Sequence, residues 1–79
     1  MTKAELLADP TSCLNRSRDD EPVFVLCARD VVAPEIVEAW ADAAARAGSN
    51  SSKTRHAMID AEDMRRWQAA HADRVKVPD

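Results

Sequence analysis

Seventy-nine residues allow a single domain, and a chain this short buries only about 60% of the surface its unfolded form exposes, so its core is marginal by size alone. A formal charge of −3 and a pI near 5.3 argue against non-specific binding to nucleic acid or to an anionic membrane, since that binding needs clustered lysine and arginine, and mildly favour a basic partner surface. No apolar run reaches the roughly 18 residues of a membrane span and no charged-then-apolar leader opens the chain, so the expected compartment is the cytoplasm.

The N-terminal stretch offers one short helix from Lys3 to Ala8, stopped at Asp9 and Pro10 because the residue before proline is pushed out of the α region. Leu6, Leu7 and Leu14 are its only apolar anchors. Residues 1–20 therefore read as a loosely held segment, and residues 22–79 as the core of one small domain. Asn15, Arg16, Ser17, Arg18, Asp19, Asp20 and Glu21 make an exposed loop, and Pro22 marks the start of a strand.

Val23, Phe24, Val25, Leu26, Cys27 and Ala28 form a nearly continuous apolar run of β-formers. That pattern predicts a strand covered on both faces, or covered on one and buried in an interface. One strand cannot satisfy its own backbone, so it needs a partner within the molecule or on a second copy.

A helix is predicted from Pro34, with Glu35 and Glu38 at the positive end of its dipole. Ile36, Trp40, Ala44 and Ala47 form its apolar stripe, widened by Val37 and Ala41, and Gly48 closes it. Ser51 or Ser52 is the expected N-cap of a second helix running to about Ala70. Its apolar stripe is Ala57, Ala61, Met64, Trp67 and His71, with Met58 beside it. The opposite face is Arg55, Glu62, Asp63 and Arg66.

The short connection makes the two helices an antiparallel hairpin, with alanines permitting close approach and Trp40 and Trp67 plugging opposite ends. Residues 74–78 alternate and are expected to pair with the Val23 strand, Lys76 and Pro78 blunting the exposed edge. The expected fold is α+β, a helical hairpin packed on a short strand in the order β-α-α-β. Pairing across a homodimer axis is a second way to complete the sheet.

Few constellations here carry chemistry. Cys13 and Cys27 are too few for a disulfide framework, and Cys13, Cys27, His56 and His71 are spread too evenly for a zinc site, so no metal and no cofactor are expected. Residues 47–54 resemble a phosphate-binding loop with Ser52 in place of glycine, but they follow a helix rather than a strand. A capped turn is the simpler reading, with Lys53 able to hold an anion at the helix start.

Arg65, Arg66 and Trp67, with Arg55 near the start of the same helix, are the residues suited to an anion or a nucleotide. The plainer reading makes Trp67 core and the arginines a solvated face. Neither histidine has a clear nucleophile or carboxylate to serve, and the acidic groups lack metal-site spacing, so the chain is not expected to be an enzyme.

Asp20 to Asp30, with Phe24 at its centre, then Ala33, Pro34 and Trp40, and later Met64, Trp67, Lys76, Val77, Pro78 and Asp79, resemble short proteins encoded by temperate phages, prophages and other mobile elements. The similarity spans roughly residues 19–79, and an arginine often stands in that group where Cys27 stands here. The group has no agreed biochemical activity, so the resemblance implies a setting rather than a mechanism.

In that setting the leading expectation is a non-enzymatic inhibitor of host defence, similar in kind to anti-CRISPR proteins, acting in the host cytoplasm. Its acidic face, Asp19, Asp20, Glu21, Glu35, Glu38 and Asp42, would cover a basic nucleic-acid-binding surface of a CRISPR effector. One alternative is a sponge that holds a nucleotide immune signal between Arg65, Arg66 and Trp67 of paired subunits. The other is a small transcriptional regulator, which the acidic balance and the lack of a helix-turn-helix pattern disfavour.

Overall fold

The computed structural model describes residues 1–77, and its regular elements are helical. Helix α1 is Lys3–Ala8, α2 is Cys13–Arg16, α3 is Ala33–Arg46 and α4 is Ser51–Ala70; a 3₁₀ turn, Ala72–Arg74, follows. Thr2 starts α1 through a capping box, its hydroxyl accepting from the Glu5 amide while the Glu5 carboxylate accepts from the Thr2 amide. Ser12 caps α2 in the same manner by accepting from the Asn15 amide.

The Asn15 side chain then closes α1, its Nδ2 donating to the carbonyls of Leu6, Leu7 and Asp9 at 3.1, 3.0 and 2.8 Å. Residues 1–20, expected to be loosely held, contain a pair of short capped helices. The Met1 ammonium pairs with Asp60 of α4, an interaction that raises its pKa.

Helices α3 and α4 form the predicted hairpin. Arg46 is the last residue of α3, and Gly48 follows with φ of +92°, a left-handed conformation that glycine adopts without steric cost. The N-cap of α4 is Asn50 rather than Ser51 or Ser52: its side chain accepts from the Ser52 amide at 2.7 Å.

The seam between the helices is made of alanine. Ala33, Ala41, Ala57 and Ala61 are the buried apolar residues of the chain other than Pro34, and no large side chain is fully buried. The α4 stripe falls where its periodicity placed it. That of α3 is rotated: Pro34 and Ala41 are buried, Val37 and Ala44 half-buried, and Ile36, Trp40 and Ala47 exposed. Trp40 is 52% exposed and plugs neither end of the hairpin. Alanines at 57 and 61 bring α4 close to the face of α3 that carries Ala41, and no space remains there for an indole.

The expected β-α-α-β arrangement is not present. Among the described residues there is no sheet, only a single parallel bridge between Asp30 and Lys76. The Lys76 amide donates to the Arg29 carbonyl and the Val31 amide donates to the Lys76 carbonyl, each at 2.9 Å. The 3₁₀ turn consumes residues that a second strand would need, so the C-terminal segment meets the chain after the apolar run, not alongside it. Residues 22–26 are left in no helix or strand and without a backbone hydrogen bond among the described residues. Pro78 and Asp79, the expected end of that edge, lie outside the described residues.

Candidate functional site

Among the described residues, 22–26 make no backbone hydrogen bond, neither through the amides of Val23, Phe24, Val25 and Leu26 nor through the five carbonyls. Val23, Phe24 and Val25 are 55, 86 and 66% exposed. β-Branched and aromatic residues favour extended backbone, and Pro22 marks the start of the run. What the sequence lacks is a second run to pair with it. Asp19, Asp20 and Glu21 lie immediately upstream, all exposed, with Arg18 only loosely opposite Asp20 at 3.9 Å.

The acidic residues of α3 have a different fate. Glu38 is matched by Arg65 of α4 in a two-pronged ion pair, Nη1 to Oε2 at 2.7 Å and Nη2 to Oε1 at 2.6 Å. These hydrogen bonds hold the Glu38 carboxyl below its ordinary pKa and raise that of Arg65. Asp42 is bound by Arg46 one turn along, at 2.6 Å. Glu35 alone of the three faces solvent without an ion pair among the described residues. Of the six residues of the expected acidic face, Asp19, Glu21 and Glu35 thus carry no ion pair among the described residues, and Asp20 only a long one.

The residues picked for an anion or a nucleotide are not brought together. Arg65 is taken by Glu38, and Arg66 reaches Glu62 and Asp63 on its own helix at 3.8 and 3.5 Å. Successive residues of a helix point about 100° apart, which separates Arg65, Arg66 and Trp67. Lys53 and Arg55 are exposed in the first turns of α4.

Trp67 instead stacks on His71, with ring centroids 4.3 Å apart and planes at 21°. The His71 Nδ1 lies 2.9 Å from the Trp67 carbonyl, which fixes Nδ1 as the protonated nitrogen. Trp67 also lines an open cavity of about 210 Å³, together with Cys27, Ala28, Arg29 and Arg74.

The floor of that cavity is held by Gln68. Its Nε2 donates to the Ala28 carbonyl at 2.9 Å and the Asp30 carbonyl at 3.1 Å, pinning the chain on both sides of Arg29. Gln68 is not among the residues the sequence singled out. Its position directly after Trp67, on the edge of the apolar stripe, is the signal that was there to find.

Among the described residues no three His, Cys, Asp or Glu side chains gather as a metal-binding group, and no helix is long and apolar enough to cross a membrane. No family model, curated protein or solved structure matches the chain.

Proposed function

We propose that this chain is a non-enzymatic protein that acts by binding another protein, with residues 22–26 as the strand it offers. The observation that carries this reading is Phe24, 86% exposed in the middle of a segment of β-formers outside any helix whose backbone makes no hydrogen bond among the described residues. Such a segment adds to an open sheet edge, backbone hydrogen bonds supplying affinity and alternate side chains specificity. The accessible surface supports it: 6219 Å², against roughly 4,700 Å² for a typical monomer of 8.7 kDa. The excess, about 1,500 Å², is roughly twice what one partner buries in a standard interface, so surface is left over for one.

The preferred partner is basic, because Asp19, Asp20 and Glu21 adjoin the strand and Glu35 adds to the same unmatched charge. With the resemblance to phage and mobile-element proteins, this favours an inhibitor of host defence that covers the nucleic-acid-binding surface of a CRISPR effector in the host cytoplasm. The test is the plating efficiency of a phage targeted by CRISPR immunity, on cells expressing the protein. Expression restores plaques, and both Phe24→Asp and the triple reversal Asp19→Lys, Asp20→Lys, Glu21→Lys abolish the effect. Plaque counts unchanged by the native chain across CRISPR types overturn the inhibitor reading.

A second copy of the chain is the competing occupant, favoured by the symmetry of the segment. Pairing antiparallel about Phe24 sets Val23 opposite Val25 and brings the two Phe24 rings together as a non-hydrogen-bonded pair. Pro22 then falls where no amide is required. A Phe24→Cys variant would cross-link readily in that register, and sedimentation would report a dimer of the native chain.

A further inference from the structure

Arg29 and Arg74 belong to neither reading above, yet they converge. Of the eight arginines, Arg18, Arg46, Arg65 and Arg66 lie against carboxylates, whereas Arg29 and Arg74 make no ion pair among the described residues. Both line the cavity beside Trp67, and no carboxylate lines it with them. In a chain of net charge −3, two unmatched guanidinium groups on one recess are an unusual local concentration of positive charge.

The recess is also pre-formed. Gln68 holds the carbonyls on either side of Arg29, and Lys76 accepts the Val31 amide while donating to Arg29 itself, so the backbone beneath the cavity is tied to α4 and to the C-terminal segment. Trp67 is fixed in turn by its stacking on His71.

We infer that this recess binds a small phosphate monoester, the phosphoryl group held by Arg29 and Arg74 and the attached ring resting against Trp67. Guanidinium groups match phosphate oxygens with charge-assisted and often two-pronged hydrogen bonds, and an arginine pair beside an aromatic face suits a phosphate carried on a planar group. A volume near 210 Å³ falls below the roughly 300 Å³ at which drug-sized pockets begin. It therefore admits one phosphoryl group and the edge of a ring, which favours a nucleoside monophosphate over a triphosphate.

The experiment is calorimetric titration of the full chain with AMP, adenosine and inorganic phosphate, repeated on Arg29→Ala, Arg74→Ala and Arg55→Ala. AMP and phosphate bind saturably while adenosine does not, and affinity for AMP falls about tenfold or more in Arg29→Ala and in Arg74→Ala. Arg55→Ala, which removes an exposed arginine outside the recess, leaves it unchanged. Tryptophan fluorescence in a Trp40→Phe background reports the same saturation from Trp67 alone. Absence of saturable heat with AMP overturns the inference, as does equal binding of adenosine or an equal loss in Arg55→Ala. None of these outcomes depends on whether the chain blocks a defence system.

Discussion

Glu38 and Arg65 stand 27 residues apart in sequence and join α3 to α4 through two parallel hydrogen bonds of 2.6 and 2.7 Å. The pairing depresses the Glu38 pKa, so the ionised carboxylate stabilises the folded state. That contribution is complete above the ordinary carboxylate value near 4.5 and is lost as pH falls through the lower value of the folded state. A Glu38→Gln variant therefore melts a few degrees below the native chain at pH 7, and the gap closes in acid. It narrows in high salt as well, because the pair lies at the surface. Thermal melts by circular dichroism from pH 7 to pH 2 check both.

Replacing Phe24 leaves the monomer intact. A side chain 86% exposed on an unpaired backbone contributes little to folding, so Phe24→Ser changes stability by no more than about 0.5 kcal/mol in urea titrations. The same change removes the apolar surface proposed to draw a partner, and it lowers binding of hydrophobic dyes. A destabilisation of about 2 kcal/mol or more would mean that the segment packs on its own chain.

The alanine seam reverses the usual ranking of core residues. Ala61 has no exposed surface, and leucine there forces α3 and α4 apart, costing about 1–3 kcal/mol. Trp40, at 52% exposure, loses only part of the ~3–5 kcal/mol that a fully buried tryptophan gives up on truncation to alanine. Urea unfolding of Ala61→Leu and Trp40→Ala should therefore show comparable losses despite the difference in side-chain size.

The hairpin was legible in the sequence because its signals are local: Pro34 and Gly48 mark the ends of α3, and the stripe through Ala57, Ala61, Met64 and Trp67 falls on the inner face of α4. The orientation of α3 was not. Periodicity gives equal credit to Ile36 with Trp40 and to Val37 with Ala41, and only the space left by the alanines of α4 selects the second pair.

The strand failed for a related reason. Val23 to Leu26 have the residues a strand requires, but pairing is decided by a distant segment. The 3₁₀ turn at Ala72–Arg74 placed that segment beside Asp30 instead. Of the candidate site residues, Asp19, Glu21 and Glu35 make no ion pair among the described residues and Asp20 only the long one to Arg18, while Glu38, Asp42, Arg65 and Arg66 found one another or near neighbours. Opposite charges at matching positions of a hairpin neutralise each other, and composition alone does not reveal that.

Gln68 offers the sharpest test of how the chain before α3 is held. Its amide donates to the carbonyls of Ala28 and Asp30; the second also accepts from the Ala33 amide, so removing Gln68 takes the side-chain donor from both and leaves the Ala28 carbonyl to solvent. The Gln68→Ala variant loses about 1–2 kcal/mol, from two neutral hydrogen bonds of modest net worth each. The loss is local before it is global. Amide exchange at Val31 and Lys76, which donate to Lys76 and Arg29, should quicken several-fold while exchange at the centre of α4 changes only by the global loss. Since Arg29 sits between the two carbonyls, the same variant weakens AMP binding without touching either arginine. Protection at Val31 that is unaltered by Gln68→Ala would place the restraint on this loop elsewhere.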